Sequence, residues 1–198
     1  ILSDGAIGQM MEKVELSDFK PRWTNDEIVD KCASWASIGK PATRDRNVVT
    51  SLELDSLKME SNNHRFQEKY RAMEANEQRY EAIECDDADY ILVAFGTSAR
   101  VCQKAVEIAR AKGIKVGLLR PITLFPFPKK AVGELAHRVK GFLSVEMNAG
   151  QMTEDIKLAA YEAGVIRPVD YFGRMGGIIP SPGEVVNALE QKLLQEVL

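Results

Sequence analysis

Residues 90–121 read YILVAFGTSARVCQKAVEIARAKGIKVGLLRP, and the punctuation inside this stretch decides the fold. Tyr90 to Phe95 is an unbroken apolar run of strand length that closes on Gly96, a turn residue. From Ser98 to Lys112 the period changes. Cys102, Ala105, Val106 and Ala109 recur at three- and four-residue spacing, one face of a helix, and Gly113 supplies the stop. "KVGLL" (115–119) is apolar again. A strand, a helical crossover and a second strand form the unit that joins parallel strands.

The same alternation continues downstream. A helix is expected near Lys129 to Val139, a strand at "FLSVEM" (142–147), a helix from Gln151 to Ala163 stopped by Gly164, and a strand at "VDYF" (169–172). The last helix carries an explicit start. Ser181 is the N-cap, Pro182 takes the first helical position and Glu184 is the capping-box partner. Its apolar face is Val185, Ala188, Leu189 and Leu193. Repeats of this length predict an α/β fold with an open, mostly parallel sheet and helices on both faces.

The first half is different. Residues 1–52 lack clear periodicity and carry loop signals at Lys20-Pro21, Gly39-Lys40-Pro41 and Thr43 to Asn47. "NVVTSLEL" (47–54) alternates as one strand would. From Asp55 to Glu84 there is neither glycine nor proline. Leu57, Phe66, Tyr70, Met73, Tyr80 and Ile83 mark a narrow apolar stripe, which predicts one long helix. Such a helix either lies on its own domain or packs across a partner. The opening "ILSDGAIGQMME" reads as the end of a strand and its turn, and so as part of a longer polypeptide.

The 198 residues suffice for one domain with an appendage. A net charge of −3 and a pI near 5.6, with both signs interspersed, give no basic stripe for nucleic acid. No apolar run approaches a membrane span. Cys32, Cys85 and Cys102 are too widely spaced for a C-x-x-C metal or cluster motif and fit a reducing, cytoplasmic setting. His64 and His137 fall in polar helical surroundings and read as solvated.

In open α/β sheets ligands gather at the carboxyl ends of the strands. Four segments lie there. In "GTSAR" (96–100) a glycine turn opens a helix, so Gly96, Thr97 and Ser98 can offer N–H groups to an anion, with Arg174 or Arg100 assisting. The favoured alternative is a plain strand-to-helix turn, since N-capping alone accounts for Thr97 or Ser98. "RPITLFPFP" (120–128) is a stiff apolar loop, because each proline fixes φ and removes a donor. Phe125 and Phe127 are expected as preset docking anchors, and Arg120 as the partner of a carboxylate, Glu146 on the neighbouring strand. The alternative is that both rings fold back onto the domain's own core, and a cis Phe-Pro bond would fit this loop. Glu146, Asn148 and Gln151 complete the edge; Glu146 is either a general base or an acceptor for loop N–H groups. No catalytic triad or metal set can be assembled from the chain. These residues predict a binding or docking edge.

Taken together, "VAFGTSAR", "KVGLLRPITLFPFP", "VEMNAGQM" and "GRMGGIIPSP" resemble the second domain of the 2-oxoacid:ferredoxin oxidoreductases. The resemblance is to their thiamine-pyrimidine subunit and its transketolase C-terminal-like domain. It is nearest the 3-methyl-2-oxobutanoate (ketoisovalerate) branch, with the 2-oxoglutarate branch close by. "SDGAIGQMMEKVE" looks like the end of the preceding pyrimidine-binding domain, and "VTSLELD" and "KYRAMEANEQRYE" look like the inter-domain region. The implied division is 1–14, 15–86 and 87–198.

The family implies an enzyme that decarboxylates a 2-oxoacid on thiamine diphosphate with Mg²⁺. It passes electrons through iron–sulfur clusters to ferredoxin and releases an acyl-CoA. In that family the activating glutamate lies in the first domain and the cluster cysteines in other subunits. The resemblance therefore implies no cofactor and no catalytic residue in this chain, only a scaffold and docking role with other subunits or a second copy. Pyruvate enzymes commonly carry tryptophan where Phe125 stands, which points away from pyruvate. The competing expectation is a free-standing α/β module that takes an anionic ligand at the Gly-Thr-Ser turn.

Overall fold

The computed structural model describes residues 1–36, 39, 42–43 and 45–194. Lys40 and Pro41 of the expected Gly39 loop, Arg44 of the Thr43–Asn47 loop and residues 195–198 of the last expected domain lie outside the described residues. The chain divides into two compact units, Ile1–Met10 with Glu68–Leu198, and Met11–Gln67.

The larger unit opens with a short helix, α1 (Gly5–Gln9), capped by Asp4. The expected strand end at Ile1 to Gly5 does not form, because the Asp4 carboxyl accepts the Ala6 and Ile7 N–H groups and starts a helix instead. In the smaller unit, α2 (Asn25–Cys32) has a complete capping box made by Thr24 and Glu27. The helix α3 (Ser56–Asn76) follows. Neither α2 nor α3 contains a buried residue. The strand expected at 47–54 is not formed: Val48, Val49, Leu52 and Leu54 are exposed, and no neighbouring backbone pairs with them among the described residues. Alternation alone does not make a strand without a ladder partner.

The long helix also ends earlier than its stripe predicts. After Asn76 the chain turns extended, and β1 (Tyr80–Ile83) pairs antiparallel with β3 (Val116–Pro121). Ile83 packs against the buried core beneath that strand. The free edge of β3 offers four ladder positions, and pairing there satisfies backbone groups that a few more helical turns would leave on the surface.

The rest follows the sequence pattern closely. β2 (Tyr90–Val93), α4 (Gly96–Ala111), β3, α5 (Lys129–Ala136), β4 (Gly141–Glu146), α6 (Gln151–Glu162), β5 (Val169–Gly173) and α7 (Pro182–Leu189) succeed one another. The five strands run in the order β1-β3-β2-β4-β5, with every pair but β1–β3 parallel. Alternate residues of β2 feed opposite faces, as the two-residue period requires. Tyr90 and Leu92 pack with α4 and α7, whereas Ile91 and Val93 pack with α5 and α6. Val185, Ala188, Leu189 and Leu193 are all buried, and the Ser181–Glu184 capping box is present. At Gly117 a Cβ would lie 2.7 Å from the Glu84 carbonyl oxygen, so β3 accepts the crossing chain only with glycine there.

Candidate functional site

Two cavity walls at the carboxyl edge come from β2 and β4. Gly96, at φ +56°, turns the chain out of β2 and into α4. The N-cap is Phe95, whose side chain makes no capping bond. Thr97 and Ser98 are thus not caps; they lie within the first turn, because the helix begins two residues before the expected Ser98. The Thr97 hydroxyl donates to Asp4 Oδ2 at 2.5 Å. Asp4 Oδ1 meanwhile accepts Ala6 N–H and Ile7 N–H, each at 2.9 Å. One carboxyl therefore starts α1 and ties it to the start of α4. Leu2, Ile7, Phe95, Ser98, Met147 and Asn148 line a cavity of about 240 Å³ beside this contact.

The hydroxyl of Thr97, and after it the Ile7 N–H, holds the Asp4 carboxyl below the usual carboxylate range. A folded-state pKa that is lowered adds stability above the ordinary aspartate value, and this is lost as pH falls through the folded value. In an NMR titration the Ile7 and Thr97 amides should report an Asp4 midpoint below that of an unstructured aspartate. In Thr97→Val the midpoint should rise. An unchanged midpoint would show that the hydroxyl does not govern this carboxyl.

Arg174 is not brought to the turn. Its backbone N–H donates to Glu146 O at 3.2 Å, and its guanidinium pairs with Glu184 at the start of α7. Arg100 Nη1 approaches Met10 Sδ at 3.6 Å. Of the candidate anion-binding residues named from sequence, the structure leaves Gly96, Thr97 and Ser98 together at the turn, and there the Asp4 carboxyl already takes the Thr97 hydroxyl.

The proline loop is held from its own unit. Ile122 and Thr123 donate their N–H groups to Arg79 O, and the Arg79 N–H donates to Thr123 Oγ1 at 2.9 Å. Arg120 pairs with Glu81 on β1 at 2.8 Å, not with Glu146. The reason is strand order: β2 stands between β3 and β4, so the strand carrying Glu146 is no neighbour of the one carrying Arg120. The Phe125–Pro126 bond is cis. Phe125 is 58% exposed and meets the Tyr70 ring edge-on at 5.8 Å. Phe127 is only 6% exposed and belongs to the core under α5 and α6. Phe127 thus folds back onto the core, as the alternative expectation had both rings do, while Phe125 stays exposed.

Glu146, 1% exposed, is likewise no surface anchor. Its carboxyl accepts Ser144 Oγ at 2.7 Å, Met152 N–H at 3.0 Å and Thr153 Oγ1 at 3.3 Å. Two of these donors lie in the first turn of α6, where no side chain of the N-cap Gly150 can serve. Asn148 Oδ1 accepts Gly150 N–H and Gln151 N–H, and the Tyr171 hydroxyl donates to Asn148 O. Gln151 is exposed. Asp4 and Tyr171 were not picked out from sequence. "SDGAIG" does hold a capping signal for Asp4, but its bond to Thr97 spans 93 residues and has no local sign.

Of the described residues, no group of three or more His, Cys, Asp or Glu could hold a metal ion, and no helix is long and apolar enough to cross a membrane. What the geometry defines is a mostly parallel α/β/α domain with a cavity at the carboxyl edge of its sheet. Residues 88–185 match the model of pyruvate:ferredoxin oxidoreductase core domain II, and the chain belongs to that family. It is 48% identical over 177 residues to the ketoisovalerate oxidoreductase subunit VorB of Methanothermobacter marburgensis, covering 89% of this chain and 47% of that protein. The chain spans about half the length of the curated relatives it matches. Among solved structures it is similar to a 2-oxoglutarate:ferredoxin oxidoreductase from Magnetococcus marinus with 2-oxoglutarate, coenzyme A and succinyl-CoA bound. There the TM-score is 0.59 at 20% identity, over 71% of this chain and 24% of that one. A split-gene transketolase, an inactive β4 tetramer, gives a TM-score of 0.50 at 17% identity, over 59% of this chain and 41% of that one. These likenesses establish the expected transketolase-like α/β fold.

Proposed function

We propose that this chain is the scaffold and docking part of a thiamine-diphosphate-dependent 2-oxoacid:ferredoxin oxidoreductase. The full assembly converts a 2-oxoacid and CoA to an acyl-CoA and CO₂ and reduces ferredoxin; ketoisovalerate is the favoured substrate. The observation that carries this reading is the 48% identity to a ketoisovalerate oxidoreductase subunit over nearly nine-tenths of the chain. Residues 87–198 form the transketolase C-terminal-like domain and 15–86 the inter-domain region, with 1–14 ending a pyrimidine-binding domain. Thiamine diphosphate, Mg²⁺ and the iron–sulfur clusters belong to the assembly. The described residues hold no cluster of metal-ligating side chains for the Mg²⁺, so no chemical step is assigned to them. The working compartment is the cytoplasm.

The docking edge consists of Arg120, Phe125, Asn148 and Gln151. Phe125 contributes an exposed ring fixed between prolines, so little ordering entropy opposes its burial by another subunit. The test is copurification. The chain should associate with the remaining oxidoreductase subunits, and Phe125→Ala should weaken that association about tenfold, as expected for one aromatic anchor. Thiamine diphosphate titrated calorimetrically into the chain alone should give no heat of binding. Micromolar thiamine diphosphate affinity, or decarboxylation of a 2-oxoacid by the chain alone, would overturn the scaffold reading.

A further inference from the structure

The hydrogen bond between Asp4 and Thr97 ties residues 1–9 to the start of α4, 93 positions along the chain. Residues 1–9 carry exposed apolar side chains at Ile1, Leu2 and Ile7 and form only a short helix. They are anchored where the larger unit has its donor-rich edge. The first three N–H groups of α4 belong to Gly96, Thr97 and Ser98, and helix geometry leaves such groups without an intrahelical acceptor. Ser98 adds a second, independent sign. It is 3% exposed and lines the cavity, and its hydroxyl has no hydrogen-bond partner among the described residues. A buried hydroxyl without a partner costs free energy unless something in the cavity bonds to it.

We propose that residues 1–9 are a strap latched by Asp4 over an oxyanion seat built from Gly96, Thr97 and Ser98, and that a small oxyanion and the strap exclude one another. The physical grounds are charge and donors. The positive end of the α4 dipole draws one negative group, and the Asp4 carboxyl already takes the Thr97 hydroxyl. A phosphate or free carboxylate entering the cavity needs that same hydroxyl and meets a like charge at the mouth. With the strap latched, the cavity beside Gly96, Thr97 and Ser98 measures about 240 Å³, and Leu2, Ser3, Asp4 and Ile7 of the strap form part of its wall. The apolar remainder of the wall, Phe95 and Met147, suits a ligand whose oxyanion is attached to an organic body. The inference stands on this unit's own geometry and does not depend on membership of an oxidoreductase assembly.

The experiment uses inorganic phosphate as probe and the ¹⁵N-labelled 198-residue chain. In Asp4→Ala the Gly96, Thr97 and Ser98 amides should shift saturably with phosphate, with a Kd about tenfold lower than in the unaltered chain, once the repelling charge is gone. Amides of the parallel strands should stay in place, which verifies that the variant is folded. Thr97→Val keeps every backbone donor but removes the latch; the amides of Gly5 to Gly8 should lose heteronuclear NOE intensity. Equal phosphate affinity with and without Asp4 would overturn the competition. Absence of any shift at the turn in Asp4→Ala would overturn the seat, and an unchanged NOE in Thr97→Val would overturn the latch.

Discussion

Replacing Phe127 by alanine is expected to lower the stability of the chain by about 3–4 kcal/mol, the usual cost of emptying a buried phenylalanine site. For a chain of this size that corresponds to a fall in melting temperature of roughly 10 °C. The reason lies in the start of α5. Pro128 is its N-cap, Phe127 stands just before the cap, and Val132 occupies the fourth helical position. Both side chains belong to the same buried cluster, the arrangement of a hydrophobic staple that sets the angle at which a chain enters a helix. Phe125→Ala should cost the isolated chain less than about 1 kcal/mol, since its ring is mostly in solvent. Thermal unfolding of the two variants side by side tests this. If Phe127→Ala melted normally and lost only subunit association, Phe127 would be a docking anchor after all.

A comparable loss is expected at Glu146. Alanine there leaves the Ser144 hydroxyl, the Met152 N–H and the Thr153 hydroxyl without their acceptor in a place water does not reach. At about 1–3 kcal/mol for each buried orphan, partly relieved by rearrangement, the total should be about 4 kcal/mol. Glu146→Gln keeps one acceptor oxygen and the side-chain shape, so it should fall between, at roughly 1–3 kcal/mol. Urea unfolding with an unchanged m-value would measure both. A cost below about 1 kcal/mol for Glu146→Ala would mean that the three donors find other partners. The carboxyl would then not be what holds β4 to α6.

How much of this was legible without coordinates differs from element to element. β2, α4, β3, β4, α6 and α7 were each visible because their residues satisfy local rules that agree with the global fold. The apolar runs are of strand length, Gly113 and Gly164 adopt positive φ at helix ends, and Ser181, Pro182 and Glu184 start the last helix. β1 was not visible. Tyr80 and Ile83 fit a helical stripe and a strand equally, and their sequence neighbours favour helix. The stripe from Leu57 misled for the same reason, since a periodicity says which residues can share a face but not where the chain stops being a helix.

The edge shows the division most plainly. Proline spacing made the loop after β3 stiff, and the glycine before Thr97 made a turn; both follow from backbone sterics and need nothing but the chain itself. Which of two phenylalanines turns inward was settled by the position of α5 against the sheet. The partner of Arg120 was settled by strand order: β1 inserts beside β3, and β2 keeps Glu146 away. Glu146 became an internal acceptor because α6 begins above the end of β4 with no side-chain cap of its own. Asp4 found Thr97 across 93 residues. The alternating elements and their caps could be read from the chain because they depend on interactions within a few residues, and the strand–helix–strand repeat in turn implied a mostly parallel sheet. Tertiary structure alone decided which polar and aromatic side chains of the carboxyl edge meet, because those contacts join residues tens of positions apart whose pairing depends on sheet order and helix placement.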